Sequence, residues 1–233
     1  MIAHTGSFQY KGFFDVIQNG RHPFRWAGVL LLGLLWVQPG WARTLLILGD
    51  SLSAAHGIPQ SSSWVQQVTI RLETGTSPVK VVNASISGET TRGGLARLPA
   101  LLGSHQPDWV LIELGANDGL RGFPPVMIRR NLTALIETVR EHGAEPLLMQ
   151  IMLPPTYGKR YVEAFQSLYP SVAEAHNVPL LPFLLTPLAE RPDLFQEDGL
   201  HPTAEAQPLI ADFVLDALFR TPMLKNLTHT VRN

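Results

Sequence analysis

A three-layer α/β/α sandwich on a five-stranded parallel sheet is the fold this sequence predicts, and three observations predict it. Five short runs are continuously apolar and β-rich, as strands buried on both faces are. Longer stretches between them repeat apolar residues every three to four positions, the period of a helix. The two kinds alternate from Thr44 to Phe219, which calls for parallel strands joined by crossover helices.

The first 42 residues stand apart. Lys11, Arg21 and Arg25 precede the apolar stretch WAGVLLLGLLWV (26–37), and QPGWA then ends at Ala42. Basic region, short apolar core, then Gly40 and Ala42 at −3 and −1 of a cleavage site is the order of a secretory signal. The run is shorter than the ~20 residues that span a bilayer. A cleaved signal is favoured over an uncleaved anchor, and a buried core helix is the weaker reading. The expected organisation is a signal segment at 1–42, one domain at 43–221 and a tail at 222–233.

The strands follow in order: TLLILG (44–49), VKVVNA (79–84), DWVLIELG (108–115), EPLLMQIML (145–153) and VPLLPF (178–183). Between them, 61–73, 95–105, 126–143 and 159–177 carry helical periodicity. Gly143 and Asn177 stand where helices end. A last helix is expected over 203–219, with Thr203 as its N-cap and Glu205 in its first turn.

Composition narrows the function. Hydrophobic content of 45% against 16% charged residues supports a packed core, and a net charge of −1 gives no reason to expect a nucleic-acid partner. The chain has no cysteine, which excludes disulfides, thiolate metal sites and a cysteine nucleophile and leaves the compartment open.

In a parallel sheet, chemistry belongs at the C-terminal ends of the strands. Four of the five ends are polar: Gly49-Asp50-Ser51, Asn83 to Glu89, Gly115-Ala116-Asn117-Asp118-Gly119 and, beyond the fifth strand, Asp198-Gly199-Leu200-His201. Ser51 reads as a nucleophile on a tight turn or as a plain helix cap. A phosphate cradle fails for want of the glycine spacing and a lysine, and no Gly-x-Ser-x-Gly elbow occurs.

A serine nucleophile needs a base, and histidine suits that task. His105, His142 and His176 fall at helix ends, and His229 lies in the tail. His56 is close enough to reach the cleft rim but has no acid beside it in sequence. His201 follows Asp198 by three residues, a spacing that lets the carboxylate hold Nδ1 and aim Nε2 at a serine. Gly88 and Asn117 supply further donors of the kind an oxyanion needs. Taken alone, Gly88 is equally a turn glycine and Asn117 an Asx-turn residue. It is their conjunction at successive strand ends that points to acyl transfer.

GDSLS (49–53), Gly88 in NASISGET, GAND (115–118) and DGLH (198–201) resemble, in order, the four blocks of the SGNH, or GDSL, hydrolases. Longer stretches such as HQPDWVLIELGANDGLRGF resemble the periplasmic thioesterase and lysophospholipase branch of that family, and the likeness runs from about residue 44 to 219. The resemblance implies the SGNH hydrolase fold, flavodoxin-like in outline. It implies Ser51 as nucleophile, His201 as base and then acid, and Asp198 as its orienting partner. Ser51 N–H, Gly88 N–H and the Asn117 amide become the oxyanion hole. It also implies a broad esterase for acyl thioesters, lysophospholipids and aryl esters, with no cofactor or metal, and a periplasmic location.

Leu52, Gly119, Leu120, Ile151, Leu153 and Pro154 are candidates to line an acyl groove, the alternative being that these stretches only pack and connect. The 119–125 loop, with glycines at its start and prolines at its end, suits a lid without establishing one. A soluble monomer is expected once the signal is removed. Two other readings stay open: a carbohydrate O-acetylesterase on the same scaffold, and a binding module in which Ser51 only caps a helix.

Overall fold

The computed structural model describes residues 43–75 and 77–222. The expected signal, its cleavage after Ala42 and the tail from 223 lie outside the described residues. Among those described, no helix is long and apolar enough to cross a membrane.

The elements run β1 (Arg43–Gly49), α1 (Trp64–Glu73), β2 (Val79–Asn83), α2 (Thr91–His105), β3 (Trp109–Glu113), α3 (Ala116–Leu120), α4 (Pro125–Glu141) and β4 (Glu145–Met149). Then come α5 (Lys159–Gln166), α6 (Leu168–His176), β5 (Leu180–Leu181) and α7 (Gln207–Arg220). The five strands form one parallel sheet in the order β2-β1-β3-β4-β5, the expected architecture. In this order the chain reverses direction across the sheet between β1 and β3, and the crevice above that point is where open α/β sheets bind ligands.

Period-two alternation explains the two core layers. Leu45 and Ile47 of β1 face one way with Leu111 and Leu147, against Trp64 and Val68 of α1 and Ile210 and Val214 of α7. Leu46 and Leu48 face the other way with Val110, Ile112 and Leu148, against Leu98 of α2, Leu132 of α4 and Tyr169 of α6. Because both faces are covered, the strands read as unbroken apolar runs.

Several boundaries differ from the sequence reading, each for a local reason. Helix α2 starts at Thr91, ahead of the expected 95, because Thr90 Oγ1 accepts the Gly93 N–H at 3.1 Å and offsets the poor propensity of Gly93-Gly94. The stretch 159–177 is two helices. Pro170 has no N–H to give the Gln166 carbonyl, and the Gln150 side-chain amide takes that carbonyl at 3.1 Å. β5 shrinks to two residues because Pro179 and Pro182 flank it at the sheet edge.

Thr203 is not an N-cap. Its N–H donates to Leu194 O at 2.8 Å, tying it to the loop before it, and α7 begins at Gln207 with Pro208 in its first turn and no side-chain cap.

Candidate active site

The end of β1 is shaped by steric exclusion. A Cβ on Gly49 would lie 2.6 Å from Glu113 Oε2 and 2.8 Å from Ser85 Oγ, so only glycine lets β1 run this close to β2 and β3. The chain then turns without forming a helix: Ala54 N–H bonds Asp50 O at 2.9 Å, and irregular turns continue to Gly57. Ser51 sits half-buried at the first turn.

The residues around it hold that turn. Asp50 Oδ1 accepts the Leu52 N–H at 3.1 Å, and Oδ2 accepts the Asn117 amide at 3.2 Å. Glu113 Oε2 accepts both the Asp50 N–H at 3.2 Å and the Ser53 hydroxyl at 2.7 Å. Trp64 Nε1 donates to Leu52 O at 3.0 Å.

Asp50 and Glu113 are fully buried. Burial raises the Asp50 carboxyl to about 6, opposed by the Leu52 N–H bond. It drives Glu113 well above the usual carboxylate range, and the charge of Asp50 adds to that shift. Of the two, Glu113 is pushed further towards its protonated form, and Asp50 is the one that more readily carries the charge.

The second strand end arrives beside the first through Ala84 N–H to Ile47 O at 2.9 Å and Ile86 N–H to Gly49 O at 3.1 Å. A turn closed by Glu89 N–H to Ile86 O at 3.1 Å holds Gly88 at φ +80°, a conformation natural to glycine at that turn position. The Arg121 guanidinium caps Gly88 O at 3.1 Å.

From the third end, Gly115 at φ +119° turns the chain into α3, which carries Asn117. The neighbouring Asp118 is buried and accepts the Thr91 N–H at 2.8 Å and the Thr91 hydroxyl at 2.6 Å. It clamps the start of α2 to the site, a task its sequence context did not announce.

Asp198 and His201 come from the loop before α7. Asp198 Oδ1 accepts the Leu200 and His201 N–H groups at 2.9 and 3.0 Å, and Oδ2 lies 2.6 Å from His201 Nδ1. The backbone bond from His201, foremost, holds the Asp198 carboxyl down at about 2. The carboxylate is therefore charged at neutral pH. It fixes the proton on Nδ1, which leaves the Nε2 lone pair facing Ser51 Oγ at 2.8 Å. Ser51 donates to Nε2 across 150 residues of sequence.

Ser51, Asn117, Asp198 and His201 thus meet at the β1/β3 crevice, with the Gly88 turn beside them. The expected groove residues do not all share that position. Ile151 has no exposed surface and lies in the core beneath α5; it is corrected from a groove residue to a packing residue. Leu52 and Leu153 are also core residues, and Gly119 is buried with Leu153 and Phe165 against it. Leu120 and Pro154 remain partly exposed. Tyr161 OH bonds Phe123 O at 2.7 Å, which pins the loop expected to act as a lid.

His56, which its place five residues after Ser51 put within reach of the cleft rim, does arrive at the site. The His56 ring lies 4.3 Å from the His201 ring, centroid to centroid.

A family model described as GDSL-like Lipase/Acylhydrolase matches residues 47–208. The chain belongs to this family. It is 49% identical over 203 residues to "Thioesterase 1/protease 1/lysophospholipase L1" of Escherichia coli K12, covering 87% of this chain and 96% of that one. It is 51% identical over 179 residues to an arylesterase of Vibrio mimicus, covering 77% and 90%. A crystal structure of a psychrotrophic esterase from Pseudoalteromonas sp., inhibited by monoethylphosphonate, superposes with a TM-score of 0.73 at 46% identity, covering 76% of this chain and 96% of that one. Membership makes the chain an acyl hydrolase, built on the α/β sheet described above.

Proposed function

We propose that the chain is a serine esterase and thioesterase in which Ser51 forms an acyl-enzyme, His201 moves the proton and Asp198 holds His201. The unbroken run from Asp198 Oδ2 through His201 to Ser51 Oγ, at 2.6 and 2.8 Å, carries this reading. All three groups come from one chain, so the site is complete in a monomer.

In the first step Ser51 Oγ attacks an ester or thioester carbonyl and its proton passes to Nε2. The imidazolium that forms is stabilised by the Asp198 carboxylate. It then protonates the departing alcohol or thiol. A water attacks the acyl carbon and gives its proton to the same nitrogen, which returns it to Ser51 Oγ as the bond to serine breaks and the acid leaves. The Ser51 and Gly88 N–H groups and the Asn117 amide receive the oxyanion. Asp50, anionic and buried, orients that amide by accepting its other N–H.

The substrates we assign are lipid-type acyl esters: acyl-CoA thioesters, lysophospholipids and aryl esters. Exposed Ile86, Met152, Tyr157 and Leu200 lie on loops at the same edge of the sheet as Ser51 and favour an apolar chain over a sugar. Partly exposed Leu120 and Pro154 would join them. Residues 1–42 would export the domain at 43–221 to the periplasm.

The test is an acyl-length series of p-nitrophenyl esters, acetyl to palmitoyl, beside palmitoyl-CoA hydrolysis. Rates that rise beyond acetyl, with thioester cleavage, are expected. A preference confined to acetyl esters would return the reading to a carbohydrate O-acetylesterase. No hydrolysis of any member would leave only a binding module.

A further inference from the structure

We infer that His56, Asp198 and His201 form an inhibitory site for a zinc-like divalent cation, so that the metal switches the esterase off. The inference rests on the esterase reading above and names a regulator of that same site.

One ligand atom from each of these three side chains lies within 4.8 Å of the other two. Two imidazoles and a carboxylate are a donor set suited to Zn²⁺. Bonds of about 2.0–2.2 Å place tetrahedral ligands roughly 3.3–3.5 Å apart, so closure asks for side-chain rotations of about 1 Å. His56 and Asp198 are exposed and the His201 side chain is 18% exposed, so an ion enters from solvent without unfolding anything.

The three groups are also held as a set. The Gln196 side-chain amide donates to His56 O at 2.9 Å and to Pro202 O at 3.0 Å, while its backbone N–H donates to His201 O at 2.7 Å. One residue therefore ties the Ser51–Gly57 turns to the loop that carries Asp198 and His201. Ser87 Oγ stands 3.5 Å from His56 Nδ1, within reach to orient that ring, as outer partners of ligating histidines do.

Inhibition follows from the ring's own valence. Neutral imidazole carries one N–H and one lone pair. A cation on His201 takes the lone pair, and whichever nitrogen it chooses, the other then carries the hydrogen. Nothing remains to accept the Ser51 proton. The cation also draws Asp198 from Nδ1, where the two atoms now stand 2.6 Å apart.

The experiment titrates ZnCl2 into the full chain during p-nitrophenyl butyrate hydrolysis. Micromolar zinc should abolish activity, EDTA should restore it, and MgCl2 should do neither, because Mg²⁺ prefers oxygen ligands. His56→Phe should keep metal-free activity and need at least about ten-fold more zinc for half inhibition. Equal zinc sensitivity in wild type and His56→Phe, or a wild type indifferent to micromolar zinc, would overturn the site while leaving the esterase intact. Absence of hydrolysis without metal would instead sink the esterase reading. Should His56→Phe lose activity, calorimetric zinc titration of Ser51→Ala and of Ser51→Ala with His56→Phe decides. Tighter binding by the first supports the site, and equal binding overturns it.

Discussion

Asn117→Ala separates the roles assigned to one amide. Its Nδ2 gives one hydrogen to Asp50 Oδ2 at 3.2 Å, and the second is assigned to the oxyanion. Truncation removes a donor needed only once charge has developed on the carbonyl oxygen. Losses of this kind run to about 10²–10³ in kcat, or ~3–4 kcal/mol. KM should move little, because the ground-state carbonyl does not depend on that donor. The variant also leaves a buried carboxylate oxygen short of a partner, at a cost of about 1–3 kcal/mol. For a domain of this size each kcal/mol lowers Tm by about 2–4 °C. Steady-state kinetics on p-nitrophenyl butyrate, well below the variant's melting temperature, read the first effect, and calorimetry reads the second. A kcat within three-fold of wild type, with a lowered Tm, would show that Asn117 serves only Asp50 and refute its place in the oxyanion hole.

His201→Ala should cost roughly 10–100-fold more activity than Asp198→Ala, since a positioned base is worth more than the group that positions it; equal losses measured side by side would contradict the division of roles. Glu113→Gln should keep the Ser53 and Asp50 N–H contacts and flatten the pH dependence of stability. The wild-type Glu113 carboxyl is raised by burial, so its stabilising protonated form is fully present below the unfolded value and is lost as pH rises towards the folded one. Thermal melts between about pH 5 and pH 8 should show the wild type losing more than the variant over that range, and parallel curves would refute the assignment. Ala55 holds φ +58°, so Ala55→Gly should raise Tm by the equivalent of up to about 1 kcal/mol, the relieved left-handed strain less the added chain entropy; a fall in Tm would speak against strain at that turn.

The sheet was legible because β1, β3 and β4 are buried on both faces and so leave unbroken apolar runs. The edge strand β5 and the start of α7 were less so, since prolines and a tertiary bond at Thr203 decide them. Ser51 and Asn117 were legible because each sits just past a run whose end can be seen, and Asp198 and His201 because their three-residue spacing pairs an acid with a histidine. Ile151 and Leu153 misled: the apolar run after β4 continues into the core, and residue type alone does not tell lining from packing. Glu113 carried no usable signal, and His56 carried only its nearness to Ser51 in sequence, with no acid beside it. The role of His56 depends on a loop 140 residues away reaching it through Gln196. That of Glu113 depends on a glycine in the neighbouring strand leaving room for its carboxyl.

The central claim, that Ser51 is the nucleophile driven by His201, meets its most direct test in labelling with a fluorophosphonate probe followed by peptide mass spectrometry. One label per chain, on Ser51, is expected. It should vanish in Ser51→Ala and fall steeply in His201→Ala, together with ester hydrolysis. A label on another residue, or hydrolysis that survives Ser51→Ala, would contradict the account.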